Sequence, residues 1–178
     1  MIQRIIKFLA IFALLFVVVT IHLGIAYMLP FPWNSLNILF VFSILFLVFR
    51  GSGLVIWITC VMHFFVELYS AQPFGIAMVS STFSLLFTYW LYQYIFTNRS
   101  WYIVIILSIS SLFFYRVMST ILLWLFSIFI NDIELPLSSL MIQYGWEMFC
   151  TTVVASMLYI IPYMMKPREQ RPKKALFL

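Results

Sequence analysis

Apolar positions in this chain do not recur with the period of an amphipathic helix or strand. They run on almost without interruption and break only at short clusters of Pro, Gly and charged residues. Helices that are apolar on every side belong in a hydrophobic solvent rather than on the surface of a soluble domain. Six such segments can be delimited. Residues 5–29 end at Pro30 to Trp33, residues 35–49 end at Arg50 to Gly53, and residues 54–70 end at Ala71 to Gly75. Residues 75–96 end at Thr97 to Ser100, residues 101–130 are followed by Asn131 to Pro136, and residues 139–165 lead into a basic tail. A membrane-crossing helix needs about 20 apolar residues, and Pro and Gly in the breaks are the expected helix punctuation. The pattern predicts an all-α integral membrane protein, a single six-helix transmembrane bundle over 1–165 with a basic cytoplasmic tail over 166–178.

Composition narrows this further. Of 178 residues, 65% are hydrophobic and 8% charged, whereas soluble domains are about half apolar and a quarter charged. A soluble globule of this composition would leave long apolar runs in water, and a disordered chain has too little apolar surface to match it. The first segment is longer than a signal-peptide core and lacks a small-residue cleavage site, so it reads as a retained span. The longest polar stretch is the tail, which leaves no room for a soluble catalytic domain. No GxGxxG, P-loop, HExxH or GxSxG pattern occurs, so neither a cofactor, a metal nor a nucleic-acid partner is expected. Cys60 and Cys150 sit in apolar runs and read as small buried hydrophobes.

Charge sets the orientation. With both termini cytoplasmic, Arg4, Lys7, Arg50, Arg99 and the tail cations Lys166, Arg168, Arg171, Lys173 and Lys174 all lie inside, nine of the ten Lys and Arg. The outer loops then carry only the acidic Asp132 and Glu134. This distribution satisfies the positive-inside rule. The tail reads as topogenic charge that also attracts anionic lipid. Docking of a protein partner is its other reading.

Ionisable groups within spans are costly, so each needs a reason. Arg116 lies midway along the fifth segment, where insertion costs about +2.5 to +3.5 kcal/mol. Glu147, two turns into the sixth, should reach similar depth if the two helices pack antiparallel, and an Arg116–Glu147 ion pair is expected. Its plainest role is to fix bundle packing. Substrate or proton handling and a lateral protein interface are the alternatives. Glu67 sits at the outer end of the third segment, where a carboxylate opposes the helix macrodipole. Across the tight turn, however, the next helix begins with unpaired N–H groups. Glu67 is expected to accept from the amides near Phe74 and Gly75, with Gly75 giving the backbone its freedom. His63, one turn before Glu67, and His22 read as satisfied polar helix residues. Small polar stripes on the fourth segment (Ser81, Ser84, Thr88) and the fifth (Ser108, Ser111, Ser119) suit close helix packing. Trp33, Trp90, Trp101, Tyr92, Tyr94 and Tyr102 fall where aromatic belts form.

The hairpin Val66-Glu67-Leu68-Tyr69-Ser70-Ala71-Gln72-Pro73-Phe74-Gly75 resembles the acidic-Leu-x-Ser turn of the rod shape-determining protein MreD family, with Glu67, Ser70 and Gly75 at the motif positions. Glu67 stands where Asp is more usual in that family and Ala71 where Gly is common. Length, six segments, a Pro-containing first outer loop before an Asn-rich start to the second segment (Asn34, Asn37) and the basic tail are also similar. The resemblance implies a non-enzymatic, multi-pass protein of the bacterial inner membrane. It would partner an MreC-like single-span protein and, less directly, a RodA-type glycosyltransferase, a class B penicillin-binding protein and MreB, organising peptidoglycan synthesis and rod shape. A second copy of the chain is a further candidate partner. The family's helix arrangement is similar to the substrate-binding subunits of energy-coupling-factor transporters, which makes a vitamin-type transporter subunit the alternative. The scaffold predicts no convergent polar pocket, and the transporter predicts one near the outer face.

Overall fold

The computed structural model describes residues 2–70, 72–96, 101–129 and 137–165. Among them are six α-helices and one 3-10 turn, and no strand. The helices are α1 (Ile2–Met28), α2 (Ile38–Arg50), α3 (Leu54–Glu67), α4 (Ile76–Tyr94), α5 (Trp101–Phe129) and α6 (Leu137–Met165), with the 3-10 turn at Trp33–Ser35. The tail cations Lys166, Arg168, Arg171, Lys173 and Lys174 lie outside the described residues, as do Arg99, Asp132 and Glu134.

Three helices contain stretches long and apolar enough to cross a membrane: Leu9–Met28, Trp101–Ile128 and Leu140–Pro162. The chain is therefore a membrane protein. The second and third predicted segments come out shorter. Asn37 caps α2 by accepting from the Phe40 amide, so that helix starts three residues late. Glu67 closes α3 three residues early. At 13 and 14 residues, α2 and α3 rise only about 20 Å, less than the ~30 Å of a hydrocarbon core. Helix α4 is long enough at 19 residues, but Ser80, Ser81, Ser84 and Thr88 dilute its apolar character.

Short connections make neighbours antiparallel, and side chains mark the two ends of the bundle. At one end Tyr92 donates to the Val48 carbonyl (3.3 Å) and Gln93 to that of Gly51 (3.1 Å), joining α4 to the α2–α3 turn. The rings of Phe49 and Tyr159 stack there at 5.7 Å, bringing in the latter part of α6. At the other end Tyr27 donates to the Tyr69 carbonyl (3.0 Å), and Phe31 meets Trp146 edge-on at 5.9 Å. Helix α2 is the centre, touching α1, α3, α5 and α6. Its Phe40, Ile44 and Leu47 are fully buried, packed with Val55, Leu85, Val104 and Leu107. Helix α1 is the least enclosed. It seats Leu15, Val18 and Val19 against Leu39 and Met62 and leaves most of its apolar surface outward.

The α4–α5 contact is built from small polar residues. Ser80, Ser81, Ser84 and Thr88 on one side and Ser108, Ser111 and Ser119 on the other are buried. Ser84 Oγ donates across the seam to the Ser111 carbonyl, while Thr88 and Ser108 return their hydroxyls to their own helices at 2.8 and 2.7 Å. Small side chains let the backbones approach, and van der Waals packing then holds the pair. Thermal unfolding in detergent should show Ser84→Ala within about 1 kcal/mol of the parent, since one interhelical bond contributes about 0.6 kcal/mol. Ser84→Leu should lose more, about 1–3 kcal/mol, because the seam cannot take the added volume.

Candidate functional site

Three polar assemblies occupy the half of the bundle that holds the start of α2 and the end of α3. The first is centred on Glu147. Its Oε2 accepts both Nε and Nη2 of Arg116. Its Oε1 accepts Nδ2 of Asn37 at 2.9 Å. The Asn37 backbone N–H goes to Thr151 Oγ1, one turn further along α6, at 3.0 Å. Glu147 is 3% exposed at its side chain and Arg116 21%. The guanidinium also lies over the rings of Tyr115 (4.9 Å) and Tyr144 (4.5 Å), an arrangement that favours a cation. Antiparallel packing of α5 and α6 brings the two charges to the same level, as the sequence predicts. The role of Asn37 is not visible from spacing alone. The signal for it is an Asn at a helix start, a residue type that caps helices. Here it caps α2 and holds the carboxylate at once.

The second assembly is the α3–α4 turn. Glu67 Oε2 accepts from the Gly75 amide at 3.0 Å, and Oε1 accepts from the amides of Ala77 (2.5 Å) and Met78 (3.0 Å). The carboxylate thus serves the first turn of α4 and reaches deeper than the expected Phe74 and Gly75. Three orphan N–H groups are satisfied, and the negative charge sits at the positive end of the α4 dipole. Gly75 has φ +97°, a conformation that permits the chain to fold back. Ser70 closes the turn: its amide donates to the Glu67 carbonyl (3.1 Å), and its Oγ accepts from the Gln72 amide (3.1 Å).

The third is a small polar cavity of about 120 Å³ between these clusters. His22, Asn34, Asn37, His63, Arg116 and Glu147 are on its wall. His63 is buried, donates Nδ1 to the Thr59 carbonyl (3.0 Å) and sits between the rings of Phe40 and Tyr115. It makes no hydrogen bond to Glu67 among the described residues, although the two share a helix face. His22 departs from the expected satisfied residue: its Nδ1 has no hydrogen-bond partner among the described residues. The cavity is convergent and polar, which the scaffold reading did not predict. Its volume leaves room for several waters. Ligand pockets for drug-sized molecules run to about 300–1,000 Å³.

The geometry sets two tests. Removing one partner of a buried pair leaves an uncompensated charge, so Arg116→Met or Glu147→Leu alone should each cost about 3–5 kcal/mol. The double variant Arg116→Met/Glu147→Gln should recover most of that, because Gln still accepts from Asn37. Thermal unfolding of the three proteins in one detergent measures it. At the turn, Glu67→Ala orphans three amides, whereas Glu67→Gln keeps the oxygen that serves two of them. The Ala variant should therefore unfold well below the Gln variant. Gly75→Ala isolates the backbone contribution, about 1–2 kcal/mol, since an added Cβ would meet no atom within 4 Å.

Searches of protein-family models, of curated proteins and of solved structures each return no match for this chain.

Proposed function

We propose that this protein is a non-enzymatic, multi-pass scaffold of the bacterial inner membrane, a component of the cell-elongation machinery similar to the MreD family. In this reading all six helices cross the membrane, in an arrangement similar to the substrate-binding subunits of energy-coupling-factor transporters. The end marked by Arg50 faces the cytoplasm, where the tail cations also lie. The short α2 and α3 are compatible with crossing because the irregular backbone before α2 is enclosed by protein: Ser35 and Asn37 are both buried.

The observation that carries the reading is the use made of Glu67. The acidic residue of the motif gives both carboxylate oxygens to backbone amides of the next helix. It acts as a clamp on the fold, with three of its roughly four acceptor sites taken by backbone amides. The Glu147 carboxylate is likewise engaged within the chain, by Arg116 and Asn37. Such a protein acts through its surfaces and its partners: an MreC-like single-span protein directly, and a RodA-type glycosyltransferase, a class B penicillin-binding protein and MreB through it.

One observation favours the transporter-subunit alternative, namely the polar cavity at His22, Asn37 and Arg116. Its size is too small for a vitamin in the present conformation. Affinity purification of the tagged protein from its native cells in mild detergent, with mass spectrometry of what co-purifies, separates the two. The scaffold reading expects the MreC-like protein and cell-wall synthases, with rounding of rod-shaped cells on depletion. Recovery of a membrane coupling subunit and ATPases without them would overturn it.

A further inference from the structure

Between α5 and α6, on the outside of the bundle, lies an apolar groove of about 480 Å³. Val117 and Thr120 line it from α5, and Met141, Tyr144 and Gly145 from α6. A second hollow of about 410 Å³, walled by Trp146 and Phe149, shares Met141 and Gly145 with it. Two features of the groove make no sense for a surface that meets only lipid.

The first is Arg116, which forms part of the groove as well as the wall of the polar cavity. A guanidinium carries five N–H donors. Glu147 takes Nε and Nη2 on one oxygen, and Nη1 has no acceptor among the described residues. Arg116 stands at the middle of the 29-residue α5; where α5 crosses the membrane as proposed, that position is far from either lipid headgroup region, so a lipid phosphate does not reach it and an acyl chain offers it nothing. The second is Gly145, nine residues into a 29-residue helix. A helix-interior Gly is destabilising relative to Ala, and a Cβ here would meet no atom within 4 Å. No contact inside the chain requires the missing side chain. Small residues on spanning helices allow another backbone to come close.

We infer that the α5–α6 groove receives one transmembrane helix of a different membrane protein, which sets a small-residue ridge on Gly145 and an oxygen acceptor against Arg116. The acceptor is an Asp, Glu, Asn, Gln, Ser or Thr side chain. A second copy of this chain is disfavoured, because a twofold contact through the groove sets like surfaces against each other and brings two Arg116 side chains together. The inference rests on the scaffold reading for the existence of a partner, and it adds where that partner binds and by what chemistry.

The test is site-specific photo-crosslinking in native cells, with the photoreactive residue at Thr120 or Met141 in the groove and at Trp57 or Phe83, which are exposed on α3 and α4, as controls. The expected adduct forms from the groove positions only. It maps to a transmembrane segment of another protein with an oxygen-bearing side chain within about one helical turn of the attachment point. Gly145→Leu should lower its yield at least tenfold while the purified variant melts with the parent. Should that variant fail to fold, Val117→Trp on the facing wall should give the same loss. Adducts to lipid alone, to a second copy, or to a segment outside the membrane would overturn the inference, as would an unchanged yield in the filled groove. A transmembrane adduct to a transporter coupling subunit would uphold the groove and reject the scaffold. Co-purification of the MreC-like protein without any groove adduct would do the reverse.

Discussion

A carboxylate buried in an apolar bundle must be neutralised and hydrogen-bonded largely by the chain itself, because burial takes it out of bulk water. Glu147 meets that requirement from two directions. Arg116 comes from α5, and Asn37 from the loop that enters α2. The consequence is geometric. Three segments far apart in sequence are held at one level, and α2 cannot begin a turn earlier without withdrawing Asn37 from both Glu147 and Thr151. The shortness of α2, its central position and the buried irregular backbone before it follow from this one constraint. A buried ion pair adds little net stability over an apolar substitute. What it supplies here is register.

Glu67 applies the same logic to a different problem. The α3–α4 turn has to reverse the chain in a few residues and leaves the first amides of α4 without partners. A side chain from the end of α3 supplies the acceptors, and the positive φ of Gly75 lets the backbone come within reach. The two carboxylate assemblies lie on either side of the polar cavity, and the cavity is the space left where polar groups, held apart by their own hydrogen bonds, do not close-pack. The opposite half of the bundle has no such demand. There Ile44, Leu47, Val55, Leu85, Val104 and Leu107 fill the interior.

The sequence was most legible where a rule of the bilayer applies. Uninterrupted apolar runs delimit all six helices, with edges displaced by three residues where Asn37 and Glu67 intervene. The ends of long helices are set by length, whereas those of α2 and α3 are set by hydrogen bonds that no periodicity reveals. An Arg in mid-span demands a counter-charge, and Glu147 was the one carboxylate at matching depth. The use of Glu67 followed from the shortness of its turn. Hidden from the sequence were the contacts that depend on three-dimensional neighbours. Asn37 meets Glu147 across 110 positions, and His22 faces a cavity with one nitrogen unmatched. Gly145 carries no local signal either, since a single helical Gly is meaningful only once the emptiness around it is known.

These placements bear on how the molecule divides its work. Polar side chains with partners inside the chain are used to fix helix positions, so changes at them are felt as changes in fold. Features whose reason is missing inside the chain include the Nη1 donor of Arg116 and the bare backbone at Gly145, both on the α5–α6 groove, and the unmatched Nδ1 of His22 on the polar cavity. Arg116 belongs to both groups. Its Nε and Nη2 bind the residue that sets the register of α2, and its side chain also borders the groove. Whatever engages Arg116 from the groove therefore acts on the same guanidinium that positions Glu147 and, through Asn37, the start of the central helix. A contact on the outside of the bundle would thus be linked, by three consecutive hydrogen bonds, to the helix at the centre of the bundle.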